Sequence, residues 1–264
     1  MNMSARESQE RHVDTTDLEV RVKAMYREVA LYPETDFHFE MGRVMAERLG
    51  YQPAELDRIP QEAIESFAGV GYYFDLLDLQ PGQKVVDLGS GSGMDTFVAA
   101  NKVGPQGVAI GIDMTDEQRA KASKLRDAAG FTNIHYRNAY IDKTDLVSGT
   151  LDAVISNGVI NLAADKAAVF REAYRLLRKG GKLALADIVT ESQLPDNITC
   201  DATLWAACIG GAMQEEAYRK AAESAGFRIV TVHDNPEYHF ISDGARWATE
   251  TYGVKSISLL AIKD

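Results

Sequence analysis

Three glycines spaced by two residues constrain the fold of this chain more than any other feature of its sequence. Val85 and Val86 form a short apolar run that leads into Asp87, and Gly89, Gly91 and Gly93 follow. A helical pattern begins at Asp95. Glycine tolerates positive φ and lets a ligand approach the backbone closely, and the amides at the start of the next helix point at that ligand. The stretch therefore predicts a strand, a glycine turn and a helix around a bound small molecule.

The glycine spacing and a neighbouring acid indicate which ligand is bound. A dinucleotide-binding turn has the pattern G-x-G-x-x-G, whereas this chain has G-x-G-x-G with Asp87 at the end of the strand. A carboxylate there is poorly placed for a pyrophosphate, so a nicotinamide dehydrogenase is disfavoured. It suits a ligand with a cationic amino group. The pattern D-x-G-x-G-x-G after a strand resembles the first motif of the class I methyltransferases, which implies S-adenosyl-L-methionine (SAM) as cofactor and S-adenosylhomocysteine (SAH) as product.

Composition argues against two kinds of partner and against a metal site. The 264 residues carry a net charge of -11, from 28 basic and 39 acidic residues. Nucleic-acid phosphates and anionic membrane surfaces both attract Lys and Arg, so neither is expected as a partner. The chain has no apolar run of membrane-spanning length and no apolar signal region, which favours a cytoplasmic protein. Its two cysteines, Cys200 and Cys208, show no Cys-x-x-Cys spacing, so no metal is expected.

The hydrophobic pattern divides the chain into two parts. Residues 1–75 show helical periodicity without a strand signal, and we predict an N-terminal helical extension or lid there. Residues 76–264 alternate strands and helices, which predicts an α/β fold. We expect a doubly wound, mostly parallel, seven-stranded Rossmann-like methyltransferase sheet with insertions at 190–213 and 235–254. The last two strands show no strong helix between them and are predicted to form an antiparallel edge.

The predicted cofactor site collects the strand ends, because ligands of doubly wound sheets bind at the carboxyl ends of the strands. Strand two ends in Asp113, where an acid can accept hydrogen bonds from both ribose hydroxyls. Thr115 and Gln118 predict a capping box at the next helix. Asp95 is interpreted as an acid that complements the dipole of its helix. The cofactor-binding residues are predicted to be Asp87, Gly89, Ser90, Gly91, Gly93, Asp113, Met114, Tyr140, Ile141 and Asn157; for Met114 and Tyr140, core packing is an equal alternative.

A narrower resemblance covers roughly residues 45–264. Several stretches are similar in order and spacing to the arsenite methyltransferase family, among them 87–95, 111–118, 155–162, 204–212 and 252–256. The resemblance implies cysteine thiolates that hold As(III), since arsenic prefers soft ligands. Here Val70 and Gly158 stand at two of the family's cysteine positions, and only Cys208 matches. Arsenite as substrate therefore does not follow. An arsenite or thiol methyltransferase that uses Cys208, and a SAM-binding protein without turnover, stay open as alternatives.

The residues around the missing thiolates predict a partly aromatic pocket for a small-molecule acceptor. Methyl transfer from a sulfonium requires that the partners are positioned, that water is excluded and that any proton on the nucleophile is removed. The candidate catalytic residues are His38, Tyr72, Tyr73 and Cys208, with Glu40 and His239 as further orienting groups. A helix predicted over 37–49 carries His38 and Glu40. The sequence thus predicts a SAM-dependent methyltransferase and leaves its acceptor atom and oligomeric state open.

Overall fold

The structure is a computed structural model that describes residues 14–199 and 209–264. Residues 14–77 form five helices: α1 (Thr15–Leu31), α2 (Arg43–Leu49), α3 (Pro53–Leu56), α4 (Gln61–Glu65) and α5 (Phe74–Leu77). The helix predicted over 37–49 begins only at Arg43, because Gly42 breaks the helical path with φ of 85°. His38 and Glu40 therefore lie on a non-helical segment, which corrects the prediction.

The centre of the molecule is one eight-stranded sheet. Seven strands follow the order β3-β2-β1-β4-β5-β8-β7, and β6 pairs with the end of β5. Only the pairings of β8, with β5 and with β7, are antiparallel among the described strands. The mostly parallel, Rossmann-like sheet is thus confirmed. The strands are β1 (Lys84–Leu88), β2 (Val108–Asp113), β3 (Ile134–Asn138), β4 (Leu151–Asn157), β5 (Leu177–Thr190), β6 (Met213–Gln214), β7 (Phe227–Asp234) and β8 (Lys255–Lys263).

Two details of the sheet differ from the sequence prediction. The short strand β6 adds an eighth strand inside the stretch predicted as an insertion. A helix, Asp243–Tyr252, separates the last two strands, and the hydroxyl of Ser242 caps it by accepting a hydrogen bond from the Ala245 amide. The antiparallel strand β8 lies inside the sheet between β5 and β7, so the edge strand is β7.

The remaining helices cover both faces of the sheet. Alternate residues of β1 point to opposite faces: Val85 packs in one hydrophobic cluster and Val86 in the other. Helices α1 and α2 contribute Leu18 and Met45 to the cluster that contains Val85, so the extension shares a core with the sheet. No helix formed by residues 14–199 and 209–264 has the length and apolar character that a membrane span requires. The remaining helices, which follow the N-terminal extension, are α6 (Met94–Val103), α7 (Asp116–Ala128), α8 (Lys166–Leu176), α9 (Asp196–Thr199), α10 (Glu215–Ser224) and α11 (Asp243–Tyr252), with a 3₁₀ turn at Ile160–Leu162.

The register of the central strands brings three polar strand ends together. Asp87 on β1 pairs across to Gly111 on β2 and to Ile155 on β4. The carboxyl ends of β1, β2 and β4 therefore lie side by side, with Asp113 and Asn157 at the last positions of their strands. Because β1 is the central one of the three and the chain leaves it toward β2 before returning at β4, a crevice opens at this edge.

Candidate functional site

A cavity of about 340 Å³ lies over the carboxyl ends of these strands. Every residue predicted to bind the cofactor lines it. The apolar side chains Leu18 and Val22 of α1 form part of its wall, together with Phe67 from the loop that precedes α5. The strand ends and the N-terminal helix thus enclose one space.

The glycine turn keeps its backbone accessible from this cavity. Gly89, Gly91 and Gly93 have φ of 77°, 52° and 96°, which L side chains rarely adopt. A Cβ atom at Gly89 would lie 2.4 Å from a Val159 methyl, and one at Gly93 would lie 2.2 Å from the Tyr136 hydroxyl oxygen. At Gly91 the nearest atom would be 3.6 Å away. Both the positive φ and the lack of space require glycine at positions 89 and 93, whereas at position 91 only the positive φ does.

Asp113 ties the turn to the end of β2. Its Oδ2 accepts a hydrogen bond from the Gly91 amide at 2.9 Å, and its Oδ1 accepts one from the Thr115 amide at 2.8 Å. Burial raises the pKa of Asp113, and the two amide donors act against that rise. Both carboxylate oxygens therefore have fixed positions at the mouth of the cavity.

The capping box predicted at α7 does not form. Thr115 makes no side-chain cap bond. Gln118 instead accepts a hydrogen bond from the Ser92 hydroxyl at 2.6 Å, and its amide nitrogen donates to the Tyr26 carbonyl at 2.8 Å. Because Ser92 belongs to the glycine turn and Tyr26 to α1, Gln118 joins the turn to the N-terminal helix.

Two buried polar groups of the site have hydrogen-bonding capacity to spare. The Ser90 hydroxyl is buried and has no hydrogen-bond partner among residues 14–199 and 209–264. Asp87 accepts a bond from the Thr96 hydroxyl at 2.7 Å, and burial together with Asp95 raises its pKa well above the usual range. A free hydroxyl, a buried carboxylate without a cation and an accessible backbone turn match the hydroxyl and amino groups of SAM. The residues present therefore fit this cofactor.

Asp95 is the centre of a buried hydrogen-bond network rather than only an acid in a helix dipole. The Tyr51 hydroxyl donates to its Oδ1 at 2.6 Å, and the Tyr73 hydroxyl donates to its Oδ2 at 2.7 Å. The Asn157 amide adds a third bond at 3.0 Å. Sequence reasoning missed Tyr51 and this role. A signal existed, because eight of the ten residues of α6 are buried and an acid on such a helix needs partners.

Asn157 also fastens the loop before α5, residues 67–73, which we call the wall segment. Its Oδ1 accepts a hydrogen bond from the Val70 amide at 2.8 Å, and its Nδ2 donates to the Gly71 carbonyl at 3.0 Å. From the other side, the Ser256 hydroxyl of β8 donates to the Val70 carbonyl at 2.6 Å. Residues far apart in sequence thus hold the wall segment in place.

Comparison with known proteins assigns this arrangement to a family. Residues 79–226 match the sequence model of a family described as a methyltransferase domain. The chain belongs to the methyltransferase domain family. Its fold is that of the class I SAM-dependent methyltransferases, as a solved structure with related sequence shows. That structure is an arsenic(III) S-adenosylmethionine methyltransferase from Chlamydomonas reinhardtii, with a TM-score of 0.63, 27% identity and coverage of 85% of this chain and 74% of that one.

Several curated relatives of the chain are arsenite methyltransferases. The protein from Halobacterium salinarum is 36% identical over 199 residues, which cover 75% of this chain and 51% of that protein. The protein from Aquipseudomonas alcaligenes is 39% identical over 180 residues, which cover 65% of this chain and 51% of that protein. This chain therefore spans about half the length of the curated relatives it matches, and it resembles the arsenite methyltransferases in that half.

Of the four predicted catalytic residues, the three that the structure describes, His38, Tyr72 and Tyr73, do not line the cavity. The Tyr72 hydroxyl donates to Glu55 at 3.3 Å, and the Tyr73 hydroxyl is bound to Asp95. The His38 ring packs edge-on against Phe39 at 4.7 Å. None of these three predicted residues is among the described residues that line the cavity. Cys208 lies outside the described residues, so the catalytic assignments stay predictions.

Val70 and Gly158, the two positions at which the resemblance implies cysteines, are neighbours in space. A Cβ atom at Gly158 would lie 3.2 Å from a Val70 methyl. Val70 is buried, and its backbone is held by Asn157 and Ser256. The chain thus has a buried valine beside a glycine where the resemblance implies a pair of thiolates.

Proposed function

We propose that this chain is a SAM-dependent methyltransferase that transfers the methyl group to a small molecule. One observation carries the proposal: the residues predicted for the cofactor converge on a single cavity that also has an apolar wall. A donor site with room for a second, apolar partner is what methyl transfer requires.

We propose that each cofactor-binding residue contacts a different group of SAM. We assign the ribose hydroxyls to Asp113, whose oxygens are already oriented by two backbone amides. We assign the amino group to Asp87, and a further polar contact to the Ser90 hydroxyl. When bound, SAM supplies an electrophilic methyl group on a positively charged sulfur. Met114 and Ile141 contribute apolar contacts at the end of the site marked by Asp113.

The protein's contribution to the reaction is positioning and the exclusion of water. Leu18, Val22 and Phe67 line the cavity opposite the strand ends, so an acceptor beside them is shielded from solvent. His38, Tyr72 and Tyr73 do not line it, and we therefore propose that orientation contributes more than a side-chain base at these positions.

We propose further that the helical extension, residues 1–75, acts as a lid over a core formed by residues 76–264. Three contacts of α1 support the lid: Arg27 pairs with Glu117 at 2.8 Å, the Tyr140 hydroxyl donates to Glu19 at 2.6 Å, and Gln118 bonds the Tyr26 carbonyl. All three are polar contacts between α1 and loops or helices at the strand ends. The buried side chains Leu18 and Val22 of α1 complete this interface, so opening of the lid has to separate an apolar contact as well.

Calorimetry followed by a transfer assay tests the proposed function. We expect the purified chain to bind SAM and SAH in a one-to-one ratio and to transfer label from methyl-labelled SAM into a small-molecule extract. Absence of SAM binding would contradict the proposal. Binding without any labelled product would instead support a SAM-binding protein without turnover. Label that appears only after addition of arsenite or a thiol, and that is lost in Cys208→Ser, would identify the thiolate-dependent alternative.

A further inference from the structure

Asp95 is a buried carboxylate to which the proposed cofactor contacts assign no ligand group. It is 4% exposed and yet lines the cavity. Its hydrogen-bond donors are the hydroxyls of Tyr51 and Tyr73 and the amide of Asn157, all of them neutral. Burial raises the pKa of Asp95, and the three donors act to lower it. Neutral donors stabilise an ionised carboxylate without cancelling its charge, so the negative charge acts on whatever occupies the cavity.

The covalent structure of SAM places its sulfur near this carboxylate. The sulfur joins the ribose to the methionyl chain that carries the amino group. With the ribose at Asp113 and the amino group at Asp87, as proposed above, the sulfur would lie between these two acids, next to the glycine turn that Asp113 contacts through Gly91. Helix α6 begins at the end of that turn, and Asp95 stands two residues beyond Gly93 on the cavity side.

We propose that Asp95 discriminates the sulfonium of SAM from the uncharged thioether of SAH and so favours release of the product. The inference rests on the proposed function, because it takes SAM as the ligand. In methyl transfer, a lone pair of the acceptor forms the new bond to carbon, and the electron pair of the broken S–CH₃ bond stays on sulfur. The positive charge that faces Asp95 is therefore lost in the reaction itself.

The fixed orientation of Asp95 makes this discrimination effective. Two tyrosine hydroxyls hold one carboxylate oxygen each, so the group does not turn away from the cavity. Tyr51 and Tyr73 are themselves fully buried, which keeps water and salt from screening the charge. SAM and SAH share every other group except the methyl, so the charge on sulfur is the main feature by which this residue can separate them.

Calorimetric titration of the whole chain with SAM and with SAH tests the proposal. We expect Asp95→Asn to lower the ratio Kd(SAH)/Kd(SAM) by about tenfold or more, almost entirely through weaker SAM binding. Asp116→Asn is the matched control, because Asp116 is an exposed acid that does not line the cavity; its ratio is expected to stay at the wild-type value. An equal loss of affinity for both ligands, which a purely structural role would produce, overturns the proposal.

A measurement on the unmodified protein keeps the proposal testable if Asp95→Asn does not fold. In sinefungin, a carbon that carries an amino group replaces the methylated sulfur of SAM, and this amino group is cationic at neutral pH. We expect sinefungin and SAM to bind with similar Kd, and SAH about tenfold more weakly than either. Equal Kd values for all three ligands would overturn the role of Asp95 while leaving the proposed function intact. Failure to bind any of the three would contradict the proposed function itself.

Discussion

The two sides of the cavity are built from contacts of very different range. On the donor side, the glycine turn is followed directly in the chain by α6, and Asp113 closes it with bonds to Gly91 and Thr115. On the opposite side, the wall segment depends on Asn157 and on Ser256, which are distant in sequence. A local motif identifies the methyl donor, whereas tertiary contacts shape the space for the acceptor. Substitutions should therefore separate cofactor affinity from the shape of the wall.

The largest effect is expected on the donor side, from Asp113→Ala. The substitution removes the acceptor of two backbone amides and the proposed partner of the ribose hydroxyls. We expect the Kd for SAM, measured by calorimetry, to rise by about 100-fold or more. Asp116→Ala, which removes an exposed acid from the start of the following helix, should change it less than about threefold. A small effect of Asp113→Ala would show that this side is not the donor site.

The wall side is expected to respond in stability rather than in cofactor affinity. A Cβ atom at Gly71 would lie 2.2 Å from the Asn235 amide nitrogen and 2.8 Å from the Ala186 Cβ. We therefore expect Gly71→Ala to lower the free energy of unfolding, measured with denaturant, by about 2 kcal/mol. The Kd for SAM should change less than about threefold.

A glycine without neighbours provides the control for that substitution. At Gly244 in α11 no atom lies within 4 Å of the added Cβ, so Gly244→Ala should stabilise the helix by up to about 1 kcal/mol. A parallel loss of SAM affinity in Gly71→Ala would mean that the two sides of the cavity are not independent.

The same difference in range explains what the sequence could predict. The strand, glycine turn and helix are consecutive in the chain. Their spacing, the position of Asp113 at a strand end and the motif resemblance therefore predict one site for Asp87, Gly91 and Asp113, and these residues line one cavity. The helix over 37–49 was wrong at its start, because one glycine conformation outweighed a continuous periodic pattern. The network joins Asp95 to three other parts of the chain, and the apolar residues around Asp95 indicate only that this acid needs partners, not which ones.

Removal of one hydroxyl from the hydrogen-bond network around Asp95 is expected to have the next largest effect on stability. Tyr73→Phe takes a donor from Asp95 and leaves a buried carboxylate less stabilised, so we expect the free energy of unfolding to fall by about 1.5 kcal/mol. Tyr218→Phe is a matched control, since Tyr218 is equally buried and donates to Asp187 at 2.7 Å on the other face of the sheet. Both should lose similar stability, but only Tyr73→Phe should slow methyl transfer. Equal rates of methyl transfer in Tyr73→Phe and Tyr218→Phe would show that the network around Asp95 does not affect the reaction.

A pair of cysteines introduced on the wall side should bind trivalent arsenic, which is the chemistry that the resemblance to the arsenite methyltransferases implies. The contact between Val70 and the position of a Cβ at Gly158 places two cysteines close enough to share a trivalent arsenical. In a Cys200→Ser, Cys208→Ser background, we expect Val70→Cys with Gly158→Cys to bind phenylarsine oxide about tenfold more tightly than either single variant. The positive φ at Gly158 should cost about 1 kcal/mol of stability. Equal affinities for the double and single variants would show that the two side chains do not meet.

The smallest expected effect is the pH dependence of SAM binding, which reports the charge of the donor side. Burial raises the pKa of Asp87 and of Asp95 in the free protein, and a bound cation favours their ionised forms. Lowering the pH through the raised pKa values protonates the two carboxyls, so the affinity for SAM falls. Binding of SAM at that pH then releases protons. We expect the Kd for SAM to be about threefold higher at pH 6 than at pH 8. The change for SAH should be smaller, because only Asp87 faces a cation when SAH is bound. Calorimetry in two buffers of different ionisation enthalpy measures the released protons, and a release that is equal for SAM and SAH would assign the whole effect to Asp87.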